Sequence, residues 1–188
     1  VVGGESASPD EAATPEIGRL RRVARECGVA QRVTFTGHRQ RDELREFYTF
    51  RDFAHFIEVY LAVVDLVREP EDVRLLTYEV AREMAEQNIR YAELTLTPYT
   101  NVKAGVPIEA FVEAVEDART SAERDLGIVL RWIYDIPGEF GVPAAEDTVR
   151  YAVDQGPDSL VGFGLGGPEV GVPRPQFTHV FDEARAAG

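Results

Sequence analysis

The sequence predicts an α/β protein of parallel βα units, because helical periodicity alternates with short strand-like runs and because glycine or proline marks the joins between them. Val1-Val2 followed by Gly3-Gly4 reads as a strand end running into a turn. Residues 15–27 place Ile17, Leu20, Val23, Ala24 and Cys27 on one helical face, with Gly28 as the C-cap. Residues 32–35 read as a strand and 41–48 as a short helix. Residues 51–67 form an apolar helix, and Pro70 opens another to residue 88, with Val73, Leu76, Val80 and Met84 on its buried face. A strand follows over 90–97, closed by Pro98, then a helix over 108–126 capped by Gly127. The remaining expectations are a strand at 128–135, a helix from Pro143 to residue 155 stopped by Gly156-Pro157, a strand at 160–165 and a helix at 177–187. Together these make about five parallel strands. Whether they form half a barrel beside a small sheet or one doubly wound sheet stays open. Because the chain opens on a strand end and stops on a helix end, both ends read as cut.

Composition narrows the function classes. With 44% hydrophobic and 28% charged residues the chain is globular rather than disordered. A formal charge of −13 argues against a nucleic-acid partner, since phosphate binding needs clustered Lys and Arg, and here Lys103 is the single lysine. No stretch approaches the roughly 20 apolar residues of a membrane span, so no membrane partner is expected. Cys27 has no second cysteine to pair with, and the default setting is a reducing cytoplasm.

The strands alternate informatively. In 90–97, Ala92, Leu94 and Leu96 share one face, opposite Tyr91, Glu93, Thr95 and Thr97. In 128–135, Ile128, Leu130, Trp132 and Tyr134 alternate with Val129, Arg131, Ile133 and Asp135. A sheet covered by helices on both faces is apolar on both, whereas a barrel lumen holds charged groups near a site. Glu93 and Arg131 could therefore pair inside a barrel, or form a structural salt bridge on a partly solvated sheet. In 160–166, Val161, Phe163 and Leu165 share one face, while Gly162, Gly164 and Gly166 leave the other bare. Strand glycines mark the close approach of a ligand or backbone. The rival explanation is a bulky neighbour such as Trp132 packing into the gap.

No metal or nucleophile motif stands out. His38, His55 and His179 are isolated, without H-x-H, H-E-x-x-H or C-x-x-C spacing, so no metal ligand and no catalytic residue is assigned. Ser6 and Ser8 lack the G-x-S-x-G elbow of a hydrolase, and Gly3-Gly4 lacks the full spacing of a phosphate-cradling loop.

Three segments, Phe50-Arg51-Asp52-Phe53, Tyr91 through Pro98 (YAELTLTP) and Val161 through Glu169 (VGFGLGGPE), resemble the adenosine deaminase family in order and spacing. The likeness runs from about residue 50 to 188. It implies a partial TIM barrel of strands two to four, and hydrolytic removal of an amino group from adenosine or a related adenine compound. It also implies zinc in the family, though none of the family's ligands is matched in this chain. Carried over by position, Gly167 matches the glycine whose backbone N–H contacts the purine. Gly164 stands where many members have Asp, and Phe53 matches the helix that lids the pocket. These three are the substrate-binding candidates, and the implied partner is a purine-type small molecule. The family's histidine ligands and catalytic glutamate have no counterpart here, so the chain is expected not to be catalytic on its own.

Residues 1–48 are similar to a different family. Val1 through Ser6 (VVGGES), Arg32 through Gly37 (RVTFTG) and Asp42-Glu43-Leu44 resemble the Rossmann-like nucleotide-sugar domain of GT-B glycosyltransferases. The expected organisation is thus a chimera, with a Rossmann-like segment at 1–49 and a barrel segment at 50–188. Alternatives are a glycosyltransferase remnant or a non-catalytic interaction module. Exposed strand edges of a half barrel would favour a homo-oligomer.

Overall fold

The computed structural model of the chain describes residues 48–64 and 66–188, together with Arg21, Arg22, Arg25, Arg45 and Glu46. Those five residues are helical, as expected for 15–27 and 41–48. The rest of both segments, the expected strands at 1–2 and 32–35, His38, Cys27 and nearly all of the Rossmann-like segment lie outside the described residues. The chain divides into two compact units between Ala62 and Val63.

Helix α1 begins at Phe53 and its range is Phe53–Val64, shorter than the 51–67 expected. The Asp52 carboxylate accepts the His55 N–H at 2.8 Å and so holds the helix start. Phe56 gathers Phe50, Phe53 and Tyr60, with ring centroids 5.1, 5.9 and 5.9 Å away.

The second unit starts from α2 (Pro70–Glu86), whose Pro70 sits in the first turn, where its missing N–H costs no bond. The Asp72 carboxylate accepts the backbone N–H groups of Arg68 and Glu69, both at 3.0 Å. The buried stripe is Val73, Thr77 and Ala81, and Leu76 is 54% exposed, which corrects the expected face. Small residues four apart let α2 lie close against the helix it packs on, and that turns Leu76 outward.

Three parallel strands follow in the order β1 (Tyr91–Leu96), β2 (Val129–Pro137), β3 (Leu160–Gly166). Between β1 and β2 come α3 (Pro98–Lys103) and α4 (Ile108–Leu126). Gly127 ends α4 in the left-handed region at φ 66, a conformation open to glycine without Cβ strain. A short 3-10 turn (Gly138–Phe140) and α5 (Gly141–Gln155) connect β2 to β3, so α5 begins ahead of Pro143. A second 3-10 turn (Arg174–Phe177) leads into α6 (Thr178–Ala187), and Phe177 belongs to the turn rather than the helix. The short α3 and both turns have too few residues to show a period in the sequence.

Register pairs Tyr91 with Val129 through Leu96 with Tyr134. It shifts once between β2 and β3, at Trp132/Ile133. One sheet face is dry: Leu130, Trp132, Tyr134 and Ile136 are fully buried. They pack with Val106, Phe111, Val115 and Ile128 on one side and Val149, Phe177 and Val180 on the other. Each such side chain removed from water contributes about 1.5–3 kcal/mol. The opposite face, carrying Glu93, Thr95, Arg131, Ile133 and Asp135, is only partly buried or exposed. A parallel sheet with one apolar helix-covered face and one polar face is the arrangement expected of a barrel wall. Among the described residues no helix is long and apolar enough to cross a membrane.

Candidate functional site

Parallel α/β sheets carry their sites at the carboxyl ends of the strands, because the loops leaving those ends converge there. Here the three ends bring together Thr97, Asp135 and the Gly166-Gly167 pair. Thr97 follows β1 directly and its hydroxyl donates to Asp135 Oδ1 at 2.5 Å. Asp135 stands opposite Gly164 in the register, on the same face as the strand glycines. Burial pushes its carboxyl above the usual range, the Thr97 bond opposes that rise, and the nearby Glu139 carboxylate adds to it.

The glycines are required by what lies beside them. A Cβ on Gly166 would overlap the Asp135 Oδ2, and one on Gly167 would overlap Glu139 Oε2 and come within 3.3 Å of the Gly138 nitrogen. Gly167 also has φ +79, where an L side chain is strained by roughly 1–2 kcal/mol. Arg174 reaches the same turn from the following loop, its Nη1 and Nη2 donating to the Gly166 and Gly167 carbonyls at 3.4 Å each.

Of the residues singled out from sequence, Gly164 and Gly167 fall on this strand end. Phe53 lies on α1 in the other unit and is 61% exposed. Glu169 is exposed, 3.9 Å from Arg174. The gap left by Gly162 faces Ile133, whose Cγ1 lies 3.1 Å from where a Cβ would be. Trp132 does not fill it: its indole is buried on the other face and donates to Glu116 at 2.6 Å. Glu93 and Arg131 are register partners, yet Glu93 accepts the Tyr91 hydroxyl at 2.8 Å and Arg131 donates to the Leu130 carbonyl at 2.8 Å. Thr97 and Asp135 were missed as site residues, although strand parity already put them at the strand ends on the polar face. Arg174 and Glu139 carried no sequence signal.

A separate cavity of about 410 Å³ lies between α5, the start of β3 and α6, lined by Ala152, Gly156, Leu160, Phe163, Phe181 and Ala184 among others. It holds no acid–base pair, so the chemistry points to the strand ends instead. Among the described residues no group of three or more His, Cys, Asp or Glu could hold a metal ion. His55 Nδ1 accepts the Arg51 N–H at 3.3 Å, and His179 lies 3.6 Å from Glu146.

A polar cluster at the carboxyl ends of parallel strands defines a parallel α/β protein with its candidate site where that class places it. The chain belongs to the adenosine deaminase family, whose family model matches residues 21–188. It is 62% identical to the aminodeoxyfutalosine deaminase of Streptomyces avermitilis over 149 residues, covering 78% of this chain and 42% of that protein. It is 28% identical to an adenine deaminase of Bordetella avium, covering 78% of this chain and 46% of that protein. The chain thus spans less than half the length of these curated relatives. Among solved structures, a Burkholderia ambifaria amidohydrolase with bound zinc matches at 29% identity and a TM-score of 0.70, over 79% of this chain and 42% of that one. An Arthrobacter aurescens adenine deaminase shares the fold at a TM-score of 0.75 and 24% identity, over 90% of this chain and 50% of that one. The glycosyltransferase likeness of residues 1–48 gains no support here, because the deaminase match takes in residue 21 onward.

Proposed function

We propose that this chain supplies purine-binding strand ends of a deaminase that hydrolyses the amino group from an adenine compound, and that it does not activate water on its own. The supporting observation is the bare glycine face of β3, ending in Gly166-Gly167 beside the Thr97–Asp135 pair. A planar base can approach β3 at Gly164, where the nearest atom to a Cβ position is Ile133 Cγ2 at 3.7 Å, with the Gly167 N–H donating to a ring nitrogen. Hydrolytic deamination further needs an activated water and a group that carries its proton. Among the described residues no group of three or more His, Cys, Asp or Glu could hold a metal ion to activate that water. On this reading residues 50–188 belong to a barrel portion, and Gly164 and Gly167 line the purine pocket. The 62% identity to an aminodeoxyfutalosine deaminase, against 28% to an adenine deaminase, favours aminodeoxyfutalosine over free adenine as the compound bound.

Purified chain incubated with adenosine, adenine or aminodeoxyfutalosine, with and without zinc, tests the reading through two measurements. Equilibrium dialysis is expected to show binding of a purine compound, and an ammonia assay to show no turnover. Zinc-dependent ammonia release contradicts the non-catalytic part, and absence of purine binding contradicts the rest.

A further inference from the structure

We propose that Arg174 is a positioning residue that fixes the Gly166–Gly167 peptide plane and thereby aims the Gly167 N–H at a bound purine. The inference rests on the reading that this N–H meets the base. A peptide unit is planar and trans, so its C=O and N–H point in opposite directions and move as one body. The Gly166 carbonyl and the Gly167 N–H belong to the same unit. Whatever holds that carbonyl on one side sets the direction of the donor on the other.

Arg174 is placed to hold it. Its guanidinium donates through Nη1 to Gly166 O and through Nη2 to Gly167 O, both at 3.4 Å. Each bond is long, but a planar fork bonding two successive carbonyls restrains orientation in a way that a single bond cannot. The turn needs that restraint, because two adjacent glycines have more backbone freedom than any other pair. The same guanidinium lies 3.2 Å from where a Cβ on Gly138 would stand, so Gly138 leaves the room it occupies. From the other side, the Asp135 and Glu139 carboxylates occupy the space beside the two Cα atoms. The dipeptide therefore lies between a cationic fork and two carboxyl side chains. Glu169, 3.9 Å from Nη2 and exposed, leaves the fork available to the carbonyls.

The test uses the full chain labelled with ¹⁵N, comparing Arg174→Ala and Arg174→Lys with the parent. Without ligand, the Gly167 amide order parameter is expected to fall from about 0.85 to below about 0.6 in Arg174→Ala. Arg174→Lys keeps the charge but has no planar fork, so its amide is expected to loosen as well. With adenosine as probe, Kd is expected to rise about tenfold in both variants, a change of about 1.4 kcal/mol. A residue serving only as a loop staple would lower Tm without loosening the Gly167 amide. An unchanged order parameter in a folded variant overturns the proposal, and Arg174→Lys serves this arm if Arg174→Ala does not fold. If the parent binds no adenosine, the purine reading falls, while the ligand-free arm still decides the role of Arg174.

Discussion

The Thr97 hydroxyl donates to Asp135 Oδ1 at 2.5 Å and so ties the end of β1 to the end of β2 on the open face of the sheet. The other carboxylate oxygen, Oδ2, takes up the space that a side chain at position 166 would need. One residue thus links all three strand ends, and its titration is predictable. Burial holds the Asp135 carboxyl up against the Thr97 bond, with Glu139 adding to the rise.

An acid whose folded pKa exceeds its unfolded value of about 3.9 binds its proton more tightly when folded. Its contribution to stability is full below the unfolded value and is lost as pH rises through the folded one. Asp135→Asn, which no longer titrates, should therefore gain Tm relative to the parent as pH rises from 4 to 7. Thermal melts at both pH values check this. An equal difference at pH 4 and pH 7 contradicts it.

Glu116 shows the opposite sign. Burial raises its carboxyl, but bonds from Ser159, Trp132 and Arg119 outweigh that and bring it below the usual range. Its contribution is present above the unfolded value of about 4.3 and is lost as pH falls through the folded one. Glu116→Ala also strands the buried Trp132 N–H. It is expected to cost on the order of 1.5–3 kcal/mol at pH 7 and less at pH 3, read from urea midpoints. Glu116→Gln keeps an acceptor and should cost less. A penalty that does not change with pH counts against the charged network.

Two glycines on the same strand face should respond differently. A Cβ at Gly164 meets nothing nearer than Ile133 Cγ2 at 3.7 Å, an ordinary contact. Gly164→Ala is expected to stay within about 0.5 kcal/mol of the parent. Gly166→Ala must displace the Asp135 carboxylate and is expected to cost about 1–3 kcal/mol. Chemical denaturation of both variants decides it, and equal effects would show that Asp135 does not hold that space.

The parts of the fold legible in the sequence were those with a local cause. The helix ending at Gly127 shows in its period and its left-handed cap, and β3 shows in the alternation of Val161, Phe163 and Leu165 with glycine. Leu76 misled because a 3.6-residue period marks a stripe without saying which residues are small enough for a neighbouring helix to approach. Thr97 and Asp135 were visible as polar-face residues, but only the register that sets their strands side by side makes them a pair. Arg174 was not legible at all. Its role depends on a loop that returns it to a turn several residues earlier, and no periodicity encodes that path.

The proposed purine contact is the Gly167 N–H at the carboxyl end of β3. The most direct measurement is a ¹⁵N–¹H titration of the folded chain with adenosine. The largest amide shift is expected on Gly167, with smaller shifts at Gly164 and Gly166. Shifts gathered instead along the cavity lined by Ala152, Leu160 and Phe181, with Gly167 unmoved, would contradict it.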